Sequence, residues 1–179
     1  MDIISIKDKK FVKYIHETDI LKQIERVSSI LNTKFSNKCP LLLCVLKGSY
    51  MFYSDLTKKL NFDCTMSFIQ LSSYHKTESM GQINEITGLS DSIENREVII
   101  VEDIVDTGHT IEYLKNYLLK FNPSNITVVS LCFKKEAFCY TTPPDHYLFS
   151  IPNKFIIGYG LDYDQYGRNL TDIYQIENN

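Results

Sequence analysis

The sequence lacks a basic excess, a long apolar run and paired cysteine motifs, and each absence excludes a class of protein. Its 179 residues carry 19 Lys and Arg against 22 Asp and Glu, so no broad basic surface exists to bind a nucleic-acid backbone. No segment approaches the ~18 apolar residues of a membrane span, and charges interrupt the first residues where a signal peptide needs an apolar stretch. We therefore expect a cytoplasmic protein that binds neither nucleic acid nor membrane.

Common metal-binding and nucleotide-binding motifs are also missing. The five cysteines are an odd number without a Cys-x-x-Cys pair, which favours neither a disulfide framework nor a zinc site. There is no Gly-x-x-x-x-Gly-Lys-Ser/Thr loop, and the segment 158–160 (GYG) lacks the third glycine of the dinucleotide-binding turn. Kinase, GTPase and dehydrogenase functions therefore lose their usual support. The hydrophobic content of 44% predicts one folded domain spanning residues 1–179.

Buried strands alternate with helices along the chain. Continuous apolar runs predict strands buried on both faces, and an alternating pattern predicts one further strand. The predicted strands are residues 41–46, 62–71, 98–101 and 126–133. One-sided apolar spacing predicts a helix over 18–31 and another over 111–121. Strand-helix-strand units imply parallel strands with right-handed crossovers, so we expect an α/β fold.

Two stretches depart from this alternation. Residues 72–88 are polar and lose the apolar period, which is typical of a flexible active-site lid in a compact domain. Near the end of the chain, three short apolar pieces are broken by Pro152 and by a polar stretch; they read HYLFSI, KFIIGYG and DIYQI. These pieces predict a small irregular β region that caps the sheet.

The segment 98–110, VIIVEDIVDTGHT, combines a buried strand, three acids and a short loop. In open α/β sheets, ligands bind at the carboxyl ends of the strands, where Glu102, Asp103 and Asp106 would lie. The loop 107–110 supplies backbone N–H groups, two hydroxyls and a helix N-terminus, which together suit a phosphate. Acids repel phosphate unless a divalent cation or sugar hydroxyls mediate, so a phosphorylated sugar with a metal fits. Alternatively, Asp106 merely caps the helix and the other acids are solvated.

This segment resembles the phosphoribosyl-pyrophosphate binding motif of type I phosphoribosyltransferases, in the form carried by hypoxanthine/guanine phosphoribosyltransferases of purine salvage. Further similarity follows in order at LKGSYMF (46–52), SSYHKTESMG (72–81), SLCFKK (130–135) and KFIIGYGLDYDQYGRNL (154–170). The resemblance implies a type I phosphoribosyltransferase-like parallel sheet flanked by helices, with a small β hood. It also implies an enzyme that needs Mg²⁺ and forms a homodimer or homotetramer.

The reaction that this resemblance implies is transfer of the 5-phosphoribosyl group from phosphoribosyl pyrophosphate to N9 of a 6-oxopurine. Hypoxanthine and guanine would give IMP and GMP, with pyrophosphate as the second product. The order of preference among hypoxanthine, guanine and xanthine depends on pocket geometry that the motifs do not specify.

Roles at the sugar-phosphate end follow from the resemblance, residue by residue. Asp106 is the candidate general base, and Glu102 and Asp103 face the ribose hydroxyls and, directly or through water, the metal. The residues that would hold the 5′-phosphate are Thr107, Gly108, His109 and Thr110. His109 is expected to act through its backbone, with its ring solvated. Lys47 and Gly48 would hold pyrophosphate beside a cis peptide bond at Leu46-Lys47, together with Arg168.

Roles at the purine end come from the same resemblance. Lys134 would donate to the 6-oxo group, which explains a preference for oxopurines because an ammonium cannot donate to the amino group of adenine. Phe155 would stack on the base, Ile156 would read its edge through main-chain groups, and Asp162 would serve either a second metal or the purine 2-position. Ser73 and Tyr74 would begin the lid.

Residues 135–138 (KEAF) depart from the patterns that follow this lysine in bacterial and human-like members of the family. Base selectivity and pyrophosphate contacts in this segment are therefore left open. Two rival functions use the same acids. A regulator could keep the pocket for sensing, although the sequence shows no added DNA-binding segment. A receiver-like Mg²⁺ phosphoacceptor would explain the acid pair but neither the DTGHT loop nor the C-terminal motif.

Overall fold

The computed structural model describes residues 2–73, 83–87, 89 and 91–177. These residues form three helices and ten strands, in two sheets. The strands are β1 Ile3–Ile6, β2 Lys9–Ile15, β3 Leu41–Leu46, β4 Thr65–Ser73, β5 Ile83–Thr87, β6 Glu97–Val105, β7 Asn125–Phe133, β8 His146–Ser150, β9 Ile156–Ile157 and β10 Ile173–Ile176. The helices are α1 Glu17–Phe35, α2 Tyr50–Thr57 and α3 His109–Leu119. Among the described residues, no helix is both long and apolar enough to span a membrane.

The larger sheet has the strand order β5-β4-β3-β6-β7-β8. All neighbouring pairs from β4 to β8 are parallel, and only β5 runs antiparallel to its neighbour. Apolar residues of β3 and β6 alternate between two cores: one contains side chains of α1 and α2, and the other contains side chains of α3. Both faces of the central strands are therefore covered, as their continuous apolar runs predict. The predicted α/β fold is confirmed.

A smaller antiparallel sheet packs beside the first, in the order β1-β2-β10-β9. Phe11, Ile157 and Tyr174 form its core. The prediction for this region was partly wrong. The HYLFSI piece contains β8, which extends the main sheet by pairing in parallel with β7. The chain's N-terminal hairpin, β1 and β2, supplies half of the small sheet, and its lysine-rich, half-exposed sequence gave no strand signal.

The second predicted strand, residues 62–71, begins later than its alternation suggested. It starts at Thr65, whereas Phe62 lies outside it and packs against Phe35 with ring centroids 5.8 Å apart. Two large residues of this strand face outward, since Met66 and Phe68 are 51% and 46% exposed, whereas Ile69 is fully buried. Such an apolar strip on one strand is a candidate contact surface for another molecule.

The predicted lid region, 72–88, is partly strand. Residues 72 and 73 complete β4, and β5 (Ile83–Thr87) pairs with it antiparallel, with Ser73 opposite Ile83. Tyr74 and the segment that joins these strands lie outside the described residues.

Candidate active site

The acids of the central motif lie at the carboxyl end of β6, as predicted. The strand extends to Val105, so Glu102 and Asp103 are within it and Asp106 is the first residue after it. Gly108 then adopts a left-handed conformation with φ of +91° and forms the N-cap of α3. This φ favours glycine because a side chain would be strained there. The loop therefore brings the helix N-terminus directly beside the acids.

Asp103 lies against the loop after β3. A Cβ atom on Gly48 would stand 1.4 Å from Asp103 Oδ2, so only glycine allows this approach. The Ile104 N–H donates to Asp103 Oδ1 at 2.6 Å. Burial raises the pKa of Asp103 to about 6, against the lowering effects of that hydrogen bond and of the Arg168 charge. The peptide bond between Leu46 and Lys47 is cis, as the resemblance implied.

Glu102 is a buried acid with an unused oxygen. The residue is 6% exposed, and its Oε2 atom has no hydrogen-bond partner among the described residues. Burial, and secondarily the charge of Asp103, raises the pKa of Glu102 well above its ordinary value. A buried acceptor without a partner is costly, so this atom marks a place where a donor or cation would be stabilising.

The C-terminal motif adds an ion pair to the same region. Arg168 Nη2 lies 2.5 Å from Asp162 Oδ1, and Nη1 of the same arginine donates to the Gly160 carbonyl at 2.8 Å. A Cβ on Gly160 would stand 2.0 Å from the Gly48 carbonyl oxygen, so this loop rests directly on the loop after β3. Gly48, Asp103, Asp162 and Arg168 therefore belong to one cluster.

A second ion pair lies at the start of the loop 107–110. Lys134 Nζ donates to Asp106 Oδ2 at 2.6 Å, and the lysine is only 7% exposed. The Lys134 N–H donates to the Val105 carbonyl at 2.9 Å, which holds the ends of β6 and β7 together. The half-exposed Asp106 carboxylate thus sits between a buried cation and the loop.

The two residues assigned to the purine ring differ in exposure. Phe155 is 44% exposed, and its ring contacts Phe11 and Tyr163 at centroid distances of 6.4 and 6.0 Å. Ile156 is buried in β9. An exposed aromatic ring beside a buried strand is compatible with base stacking. The assignment of Phe155 and Ile156 to the purine ring stays a prediction.

The sequence of this chain is similar to those of known proteins. The family model for the phosphoribosyl transferase domain matches residues 12–164. The chain belongs to the phosphoribosyltransferase family. It is 37% identical over 157 residues to the hypoxanthine-guanine phosphoribosyltransferase of Lactococcus lactis, covering 87% of this chain and 85% of that one. It is 39% identical to the hypoxanthine-guanine-xanthine phosphoribosyltransferase of Tritrichomonas foetus, covering 88% and 87%.

Solved structures agree with the sequence comparison. A crystal structure of a hypoxanthine phosphoribosyltransferase from Staphylococcus aureus superimposes with a TM-score of 0.88 at 33% identity, covering 93% of this chain and 91% of that one. The fold is therefore that of the phosphoribosyltransferases that the sequence motifs resemble.

The structure groups most of the predicted site residues of this phosphoribosyltransferase in two places. One contains Gly48, Asp103, Asp162 and Arg168; the other contains Asp106, Lys134 and the loop 107–110. For Ser73 only the strand position is described, and Tyr74 lies outside the described residues. The ring of His109 is not merely solvated, because its Nδ1 lies 2.7 Å from the Tyr140 hydroxyl. Sequence reasoning missed Tyr140, as it matches no motif.

The part of the site around Glu102 and Asp103 is rich in carboxylate oxygens. It fits a metal ion that takes only some of its ligands from the protein. Among the residues described, no group of three or more His, Cys, Asp or Glu side chains could hold a metal without further ligands. Magnesium commonly binds one or two carboxylates and completes its shell with water and substrate phosphates. The unpartnered oxygen of Glu102 and the raised pKa of Asp103 fit such a partial site.

Proposed function

We propose that this phosphoribosyltransferase transfers the 5-phosphoribosyl group from phosphoribosyl pyrophosphate to N9 of hypoxanthine and guanine, in purine salvage. The observation that carries the proposal is the Asp106–Lys134 pair, 2.6 Å apart, at the start of the phosphate loop. It combines a cationic donor and an anionic acceptor within one hydrogen-bond length.

The edge of a 6-oxopurine complements this pair. In its N7–H tautomer, hypoxanthine presents the acceptor O6 next to the donor N7–H. Lys134 would donate to O6 and Asp106 would accept from N7–H. A purine that enters edge-on would thus replace the Lys134–Asp106 contact by two hydrogen bonds to the base. Adenine would turn an amino donor toward the ammonium. We therefore assign selection of 6-oxopurines to this pair, with Phe155 stacking on the ring and main-chain groups of Ile156 contacting its edge.

Transfer then requires one bond to form, one to break and one proton to move. The N9 lone pair of the purine forms a bond to C1′ of the ribose as the C1′–O bond to pyrophosphate breaks. The N7 proton passes to Asp106, which acts as general base. Negative charge builds on the departing pyrophosphate, where Lys47, the Gly48 backbone and Arg168 would stabilise it more in the transition state than in the ground state.

Magnesium is the proposed cofactor, held by Glu102 and Asp103 directly or through water and by Asp162. When bound, it would neutralise charge on the pyrophosphate. Asp162 enters this role only by rearranging, since its Oδ1 is paired with Arg168 and its Oδ2 accepts from the Gln165 N–H at 2.7 Å. The carboxylates of Glu102 and Asp103 also suit the ribose hydroxyls as acceptors.

The 5′-phosphate would bind to the loop 107–110. This loop ends in the N-terminus of α3, whose free N–H groups and positive dipole end attract an anion. The hydroxyls of Thr107 and Thr110 add two donors, and the left-handed Gly108 allows the backbone to turn toward the ligand. The backbone N–H of His109 completes the set.

Three further features remain proposals. Ser73, Tyr74 and the rest of 72–88 would act as a lid that excludes water, in line with the antiparallel β4–β5 pair that leads into that segment. The exposed Met66 and Phe68 support assembly into a homodimer or homotetramer. Five free cysteines, three of them at least partly exposed, suit the reducing conditions of the cytoplasm.

The experiment that tests this function is a panel of bases. Purified protein is mixed with phosphoribosyl pyrophosphate and hypoxanthine, guanine, xanthine or adenine, with Mg²⁺ or with EDTA, and nucleotide products are separated by chromatography. We expect IMP and GMP only with Mg²⁺, and no AMP. Binding of phosphoribosyl pyrophosphate without turnover of any base would instead support a sensor.

A further inference from the structure

We propose that residues 138–140 brace the phosphate loop, and that Tyr140 is a positioning residue that acts through His109. This inference rests on the proposed binding of the 5′-phosphate at residues 107–110. The three residues, called the brace below, begin at Phe138, the last residue of the segment 135–138.

The brace contacts the back of the loop at Gly108. A Cβ atom there would stand 2.4 Å from Cε2 of Phe138 and 2.9 Å from Cδ2 of Tyr140, so both rings lie directly on the glycine. Between the two rings, the Cys139 N–H donates to the Thr107 carbonyl at 3.0 Å. Backbone and side chains of the brace therefore fix the residues on either side of the left-handed turn.

Tyr140 also reaches the first residue of α3. Its hydroxyl lies 2.7 Å from His109 Nδ1, and the two rings meet edge to face, with centroids 5.5 Å apart and an interplanar angle of 89°. The backbone N–H of His109 is one of the donors proposed for the phosphate. A hydrogen bond to its ring thus restrains the orientation of that donor.

The brace is anchored in the core of the sheet. Phe138 packs on the buried Phe133, the last residue of β7, with centroids 5.2 Å apart, and Phe133 precedes Lys134. Phe138 in turn contacts Tyr140 at 6.1 Å. A chain of ring contacts therefore joins the end of β7, where the purine would bind, to the loop that would hold the phosphate.

Restraint of the loop 107–110 should affect the binding of the 5′-phosphate and not that of other groups of the ligand. Backbone N–H groups bind a phosphate well only when their directions are already set, because ordering a free loop costs conformational entropy at the moment of binding. Loss of the Tyr140 hydroxyl should lower the affinity for ligands that carry a 5′-phosphate. It should leave pyrophosphate unaffected, since that ligand is assigned to the Lys47-Gly48 loop.

The test uses the reverse reaction, in which IMP and pyrophosphate are both substrates. For Tyr140→Phe and for His109→Ala we expect the KM for IMP to rise about fivefold, the factor that one net hydrogen bond is worth. The KM for pyrophosphate should change less than about twofold, because no contact of that ligand is removed. In the double variant the KM for IMP should rise no further than in either single variant, because both changes remove the same contact.

Tyr147→Phe is the matched control. The Tyr147 ring also packs on Phe133, with centroids 5.2 Å apart. The control variant therefore loses a hydroxyl from the same group of aromatic residues but leaves the contacts of the loop 107–110 unchanged. Both KM values should stay at wild-type levels. Equal rises in both KM values, additive effects in the double variant, or an unchanged KM for IMP would overturn the inference. If the wild-type protein itself shows no reaction with IMP and pyrophosphate, the proposed function fails instead.

Discussion

Replacement of Asp103 by Asn should stabilise the free protein at neutral pH while removing activity. Burial raises the pKa of Asp103 from 3.8 to about 6, so the folded protein holds this proton more tightly than the unfolded chain does. Between these pH values the native state binds more protons, and the free energy of unfolding therefore falls as the pH rises. At 1.36 kcal/mol per pH unit, the full loss above pH 6 is about 3 kcal/mol.

The substitution removes this titration with little change in shape. Asn keeps an Oδ1 atom to accept from the Ile104 N–H, a contact of 2.6 Å in the wild type. The variant should therefore exceed the wild type by about 2 to 3 kcal/mol at pH 7.5, and this difference should fall below about 1 kcal/mol at pH 4. Buried acids kept at a cost to stability are characteristic of functional sites.

Urea unfolding followed by circular dichroism, in EDTA at several pH values, measures this difference directly. Asp63→Asn provides the control: it removes an exposed carboxylate on the loop before β4 and should leave stability unchanged at each pH. A variant Asp103→Asn that is less stable than the wild type at pH 7.5, or equal to it at every pH, would refute the reasoning.

Three further substitutions test separate parts of the structure. Gly48→Ala places a Cβ 1.4 Å from Asp103 Oδ2, so the KM for pyrophosphate in the reverse reaction should rise more than about tenfold; an unchanged KM would show that this close approach does not matter to the loop. Lys134→Met removes a charged donor and should raise the KM for hypoxanthine at least about tenfold, measured from saturation curves. Leu131→Ala opens the fully buried core of β7 and should cost about 2–5 kcal/mol in urea unfolding, with the same active-site KM values.

Local sequence predicted the centre of the sheet well. The runs that became β3, β6 and β7 are apolar on both faces because helices cover both faces, and such runs are readable without knowledge of their partners. The position of the acids followed from the same signal, because a strand that ends in carboxylates delivers them to the ligand-binding edge. The resemblance supplied the roles proposed for residues such as Lys134 and Arg168, which no periodicity indicates.

Contacts between distant segments were beyond the reach of local patterns. The hairpin β1–β2 is polar and marginal by itself, and it becomes a sheet only by pairing with β10, near the other end of the chain. The local sequence around Gly48 and Gly160 does not show that the two loops contact each other, since this contact forms only in the folded chain. Tyr140 likewise reaches Gly108 only because the chain after β7 returns to cover this loop.

The most direct test of the central claim is the forward reaction of Asp106→Asn with hypoxanthine and phosphoribosyl pyrophosphate. If Asp106 takes the N7 proton, kcat should fall at least about a hundredfold, the lower end of what a general base contributes, while the KM for both substrates stays within about threefold. A variant that turns over at close to the wild-type rate would contradict the account.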